Sequence, residues 1–190
     1  MPLYKGGILF NFTGSDIAEL YAPNLSSIGE GFMKDNVNLS SCTIFRNIRA
    51  RSLSSCFENC KSLSSFPFDS IGTTTPSPTT IFNSDFLAKG MTSLRYVNLS
   101  VSLGAKNQYY SMKGAFQDCT SLSSAVINFE NRAEPILSCS TGIQSLTEMF
   151  NGCSSLERVD IRGITHFGAT TGSNSSVGMK YAMNGTASDS

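Results

Sequence analysis

Three stretches of this chain repeat one pattern, and a fixed internal repeat constrains a fold more than any other sequence feature. "SLSSCFENCKSLSSFPF" runs from Ser52, "SMKGAFQDCTSLSSAVI" from Ser111 and "SLTEMFNGCSSLERVDI" from Ser145. Aligned on Leu63, Leu122 and Leu156, each copy sets apolar residues three and five positions after the Leu. These are Phe66 and Phe68, Ala125 and Ile127, and Val159 and Ile161. Looser copies place Leu20 and Ala22 after Ile17, Cys42 and Ile44 after Leu39, and Val97 and Leu99 after Leu94. Alternating apolar residues mark a strand with one buried face. Six short strands of one design are therefore expected, spaced 22, 24, 31, 28 and 34 residues apart.

Upstream of each clear copy the period changes. Leu53, Cys56, Phe57 and Cys60 stand at i, i+3, i+4 and i+7, as do Met112, Ala115, Phe116 and Cys119, and Leu146, Met149, Phe150 and Cys153. That spacing predicts one face of a short helix, with Ser52 and Ser111 placed to cap free N–H groups. Asn59, Asp118 and Gly152, with Asp35 and Gly90 in the looser copies, are residue types that tolerate the left-handed conformation ending a helix. One such unit cannot bury its own apolar face, but stacked units can. The expected fold is an α/β repeat solenoid, with short parallel strands on one side and short helices and loops on the other. As one domain it divides into an N-terminal cap (1–16), six strand-bearing repeats (17–161), and a polar connection with a C-terminal half-repeat cap (162–190). In that half-repeat Met179, Ala182 and Met183 keep the spacing of Leu146, Met149 and Phe150. "TTTPSPTT" (73–80) reads as an inserted extended loop.

"GAFQDCTSL" and "EMFNGCSSLERVDI" resemble the leucine-rich repeats of the BspA-like type, which read A/M-F-x-x-C-x-S-L followed by a short strand. The match is carried by Phe57, Cys60 and Leu63, by Phe116, Cys119 and Leu122, and by Phe150, Cys153 and Leu156. The resemblance implies a leucine-rich-repeat-like solenoid and a role in adhesion to extracellular or host-surface proteins.

Lys plus Arg equals Asp plus Glu at 14 each, so the formal net charge is zero and the basic excess of a nucleic-acid binder is missing. The longest apolar runs fall short of the roughly 20 residues of a spanning helix, so membrane insertion is not expected. The N-terminal "MPLYKGGILFNF" has no long apolar region and does not read as a secretory signal. The six Cys (42, 56, 60, 119, 139 and 153) form no C-x-x-C pair, and His166 is the one His. The Cys are expected to be reduced core thiols, with no metal site and no cofactor. No G-x-S-x-G elbow, phosphate-binding loop or dinucleotide fingerprint is present, so no catalytic residue is assigned. The basic "RNIRAR" (46–51) reads as a solvated edge, and the Asn-x-Ser/Thr triplets as chance.

The outward strand positions are the most informative. One row is Tyr21, Thr43, Pro67, Asn98, Val126 and Asp160; two positions earlier stand Glu19, Ser41, Ser65, Tyr96, Ser124 and Arg158. The candidate binding face comprises Glu19, Tyr21, Ser41, Thr43, Tyr96, Asn98, Arg158 and Asp160, because repeat proteins present such rows as extended interaction surfaces and Tyr and Arg carry interface energy. The expectation is a non-catalytic protein-interaction or assembly module. A phage virion component, capsid or tail associated, is preferred over a bacterial cell-surface adhesin domain. Its expected partners are proteins, either other subunits of a large assembly or a surface receptor.

Overall fold

The computed structural model describes residues 11–50, 52–73, 81–103, 109–131 and 143–163. The strands are β1 (Glu19–Ala22), β2 (Ser41–Ile44), β3 (Asn47–Ala50), β4 (Ser70–Thr73), β5 (Ile81–Asn83), β6 (Tyr96–Leu103), β7 (Tyr109–Ser111), β8 (Ser124–Asn131), β9 (Ile143–Ser145) and β10 (Arg158–Arg162). Every strand pair is parallel. The sheets have the orders β1-β2, β10-β8-β6-β4-β3 and β5-β7-β9. Each strand thus pairs with the equivalent strand one repeat away. Five of the six expected strands stand where the alternation places them.

The core follows the repeat columns. Leu39, Leu63, Leu94, Leu122 and Leu156 are all buried, as are Phe57, Phe116 and Phe150 on the turn side. Val97, Leu99, Ala125 and Ile127 face inward from β6 and β8 and are fully buried. Leu20, Ala22, Cys42, Val159 and Ile161 are half-buried against the same core. Each buried Leu, Ile or Phe contributes roughly 1.5–3 kcal/mol of transfer free energy.

The expected short helices do not form among the described residues, and the apolar i, i+3, i+4, i+7 stretches are stacked turns instead. In the first clear copy, residues 53–60, the N–H groups of Cys56, Glu58 and Cys60 donate three residues back, to Leu53, Ser55 and Phe57. Those of Ser55, Phe57 and Asn59 donate forward, to the carbonyls of Asp85, Leu87 and Lys89 in the next repeat, at 2.7–2.9 Å. An α-helix needs every N–H to return to i−4; here alternate N–H groups stitch one repeat to its neighbour. The same alternation joins Phe86, Ala88 and Gly90 to Lys113, Ala115 and Gln117, and Gly114, Phe116 and Asp118 to Thr147, Met149 and Asn151.

Two residues of each turn take left-handed φ, four positions apart: Gly31 and Asp35, Ser55 and Asn59, Phe86 and Gly90, Gly114 and Asp118, Glu148 and Gly152. The second member is the position marked by Asp, Asn or Gly in the sequence. Side chains share space along that column. Asn59 Nδ2 donates to Asp35 Oδ1 (2.8 Å), while a Cβ on Gly90 would sit 2.7 Å from Asn59 Oδ1 and one on Gly152 2.5 Å from Asp118 Oδ1. The expected helix caps become turn contacts. Ser52 Oγ accepts the Ser54 N–H at 3.4 Å, whereas Ser111 donates its hydroxyl to Asp85 (2.5 Å), which also accepts the Lys113 N–H (2.8 Å).

The third expected strand, at Phe66–Phe68, is missing, for a reason visible in the register. Ser100, Asn128 and Arg162 pair with one another, each six residues after its repeat Leu. Ser70, opposite Ser100, is seven residues after Leu63; Asn47, opposite Ser70, is eight after Leu39. An extra residue is absorbed at each step, as in a β-bulge, and Pro67 has no N–H to give a ladder. The segment instead turns Phe66 and Phe68 into the core. Phe66 lies 4.6 Å from the Phe68 ring, 6.2 Å from Phe57 and 6.0 Å from Phe116. It reaches from its own repeat past the intervening one because Ala88 stands in the column filled elsewhere by Phe57, Phe116 and Phe150.

Of the expected inserted loop, 74–80 lie outside the described residues. So do Arg51, Cys139, His166 and the C-terminal half-repeat from residue 164 onward.

Candidate functional site

Strand pairing sets the outward residues side by side. Glu19 stands opposite Ser41 and Tyr21 opposite Thr43. Tyr96, Ser124 and Arg158 form one run across β6, β8 and β10, and Asn98, Val126 and Asp160 the next. All eight proposed face residues lie on these strands, in two groups separated by the bulged third repeat. Glu19, Tyr21, Ser41, Thr43, Tyr96, Asn98 and Arg158 are exposed, and Asp160 is partly covered. Tyr21 at 81% and Tyr96 at 51% are among the exposed large apolar side chains. Their exposure has a simple cause: period-2 alternation puts them on the face opposite Leu20, Val97 and Leu99.

Charge is confined to the ends of these two rows. Arg162 grips Asp160 through Nε, at 3.0 Å to Oδ1 and 3.1 Å to Oδ2, and Nη2 also donates to Oδ2. The hydrogen bond from Arg162 holds the Asp160 carboxyl below its ordinary range, with Arg158 adding attraction from 3.9 Å. Glu19 marks the other end. Between them the strand positions Ser41, Thr43, Tyr96, Asn98, Ser124 and Val126 carry no charge, and the third repeat, where Ser65 and Pro67 lie on no strand, holds the Arg46–Asp69 ion pair.

Sequence reasoning missed Phe45, which is 44% exposed. It continues the outward step of two from Ser41 and Thr43, a signal available in the alternation. Its neighbour Arg46, read as part of a solvated edge, bonds Asp69 Oδ2 at 3.0 Å across the bulge. Arg49 is exposed on β3.

The cysteines have a defined use. Cys42, Cys56, Cys60, Cys119 and Cys153 are free. Cys60, Cys119 and Cys153 donate S–H to the carbonyls of Met33, Ala88 and Phe116 in the preceding repeat, at 3.0–3.1 Å, and Cys56 does so to Gly29. Burial pushes the Cys60 and Cys153 thiols up to about 12 and raises Cys119 as well. Asn36 takes the same position in the second repeat. It is fully buried, donates to Phe12 and Met33 carbonyls and accepts the Ile17 N–H. Among the described residues, no three His, Cys, Asp or Glu side chains come together as a metal site, and no helix is long and apolar enough to cross a membrane.

Comparison with protein-family models, with curated proteins and with solved structures finds no match to this chain.

Proposed function

We propose that the parallel strands and stacked turns belong to one repeat solenoid of the leucine-rich-repeat kind, resembling the BspA-like type, and that it is a non-catalytic binding module. The observation that carries this reading is the pair of outward rows, with Tyr21 and Tyr96 standing exposed among them. Exposed aromatic and Arg side chains on a rigid scaffold are the usual anchors of recognition. The partner is a protein, either another subunit of a large assembly or a surface receptor.

The proposed setting is a virion, as a capsid- or tail-associated component. The four S–H···O=C bonds support it, because only a reduced thiol can donate them, and thiols stay reduced in the cytoplasm where particles assemble. A second reading, a bacterial cell-surface adhesin domain, is favoured by the F-x-x-C-x-S-L motif itself.

Fractionating source material on a density gradient separates the two. A virion component sediments with particles; recovery with the cell envelope favours the adhesin, and recovery only at low mass overturns assembly. Within the sedimenting fraction, Tyr96→Ala with Arg158→Ala should weaken association roughly tenfold or more with the thermal midpoint nearly unchanged. Unchanged association would move the interface off this face.

A further inference from the structure

The ladder that joins the stacked turns runs one way and ends on donors. At each step N–H groups of one turn donate to carbonyls of the turn that follows. From the turn at 112–119 these are Gly114 to Thr147, Phe116 to Met149 and Asp118 to Asn151, at 2.8–2.9 Å. The matching donors of the turn at 146–153 are Glu148, Phe150 and Gly152. Among the described residues none of these three N–H groups has an acceptor.

Their surroundings are nevertheless those of an interior turn. Phe150 is buried and Glu148 and Gly152 partly buried, as are Phe57, Ser55 and Asn59 in a turn with neighbours on both sides. Leu146, Met149 and Leu156 are 1% exposed and Cys153 0%. The opposite end of the stack differs. Phe12, the ladder counterpart of Phe150, is only partly buried, and Gly14, the counterpart of Gly152, is exposed. A single chain that buries its last described turn supplies the cover itself, and an N–H so placed needs an acceptor.

One stretch has the pattern to be that cover. Met179, Ala182, Met183 and Gly185 stand 33 residues after Leu146, Met149, Phe150 and Gly152. The equivalent ladder positions Met33, Phe57, Ala88, Phe116 and Phe150 are 24 to 34 residues apart, so the step is an ordinary one. Gly185 then falls in the left-handed column of Asp35, Asn59, Gly90, Asp118 and Gly152. Thr186 falls at the Cys position, where Asn36 already shows a donor other than a thiol reaching a carbonyl of the preceding turn. Residues 132–142 set Ala133, Ile136 and Leu137 at the same apolar spacing, but put Cys139 where the left-handed residue belongs.

We infer that residues 179–186 dock on the turn at 146–153 as a seventh turn. Glu148, Phe150 and Gly152 donate to the carbonyls of Lys180, Ala182 and Asn184, and Met183 closes the ring column over Phe150. The Thr186 hydroxyl donates to the Phe150 carbonyl, as Cys153 does to that of Phe116. A second copy then cannot extend the turn stack at this end, which closes the head-to-tail route to an open filament.

Amide hydrogen exchange of the full chain, read residue by residue by NMR, tests this. Glu148, Phe150 and Gly152 should exchange as slowly as Ser55, Phe57 and Asn59, at any protein concentration. Met183→Asp, which puts a carboxylate into the ring column, should speed exchange of the first three roughly tenfold or more and leave the second three protected. Met183→Leu should keep all of them slow. Fast exchange of Glu148, Phe150 and Gly152 in wild type overturns the inference. Protection that survives Met183→Asp overturns it too and assigns the cover to another segment, while protection that fades on dilution assigns it to a second copy. If Met183→Asp unfolds the whole chain, wild type decides alone. Its methyl-labelled Met183 should show nuclear Overhauser contacts to the Phe150 ring, and their absence refutes the seventh turn.

Discussion

Gly152→Ala and Gly152→Asn test the stacked-turn column from opposite sides. Gly152 has φ +77°, where an ordinary L-residue loses roughly 1–2 kcal/mol. An added Cβ would also stand 2.5 Å from Asp118 Oδ1, which forces that carboxylate to move. Against these, replacing Gly removes unfolded-state freedom worth about 0.4–1 kcal/mol. The net for Ala is a loss of about 1–2 kcal/mol, or roughly 2–8 °C in a chain of this size. Asn should lose less. It tolerates left-handed φ, and Asn59 already shows the geometry, donating to Asp35 one column step away. Urea melts of both variants beside wild type measure the order. Ala as stable as wild type, or Asn worse than Ala, would refute the shared-space account of this column.

Phe116→Ala should cost about 3–5 kcal/mol, the usual range for a buried aromatic, because Phe116 stacks on Phe150 at 5.7 Å and meets Phe66 at 6.0 Å; a loss below about 1 kcal/mol in denaturant melts would remove the ring column from the core. Ala88→Leu should destabilise by about 1–3 kcal/mol through overpacking, and the loss should shrink in the Phe66→Ala background, a coupling that a double-mutant cycle reads directly. The thiols give a pH signature. Their folded values lie well above the unfolded value near 9, so the unfolded chain loses protons first as pH rises. Stability contributed by Cys60 and Cys153 is complete below pH 9 and falls between pH 9 and about 12, by up to about 1.4 kcal/mol per pH unit for each thiol. Denaturant midpoints that stay flat from pH 8 to 10.5, or whose fall is no shallower in Cys60→Ala with Cys153→Ala, where Cys42, Cys56 and Cys119 keep their raised values, would contradict it.

The strands and their faces were legible because alternation survives any change in how the repeats connect. Leu94, Val97 and Leu99 read as inward, and Tyr96 and Asn98 as outward, from the period alone. The turns were not legible as turns. Left-handed residues four apart, with bonds three residues back, place apolar side chains at the spacing of two helical turns, and over eight residues a repeat of four cannot be told from 3.6. The second left-handed position shows itself through Asp35, Asn59, Gly90, Asp118 and Gly152. The first does not, since Ser55, Phe86 and Glu148 occupy it beside Gly31 and Gly114. Pro67 did carry a signal against a third strand, but the bulges that shift Ser70 and Asn47 depend on pairing with other repeats. The third sheet escaped because β5, β7 and β9 have three residues each, too few to show a period. On the candidate face the outward direction of the strand residues was legible from the alternation, and what pairing added is their adjacency and the exposed Phe45.

The face exists as described only if β6, β8 and β10 pair in the stated register, and one cross-linking measurement decides that. Asn98 lies directly opposite Val126, so their Cα atoms are about 4.8 Å apart, within disulfide reach. Ser124 lies one diagonal step away, beyond about 7 Å. Under mild oxidation, Asn98→Cys with Val126→Cys should form a bridge detected by mass spectrometry of the unreduced protein, and Asn98→Cys with Ser124→Cys should not. A bridge in the second pair and none in the first would show a two-residue slip, and with it the side-by-side rows of Tyr96, Ser124 and Arg158 would be wrong.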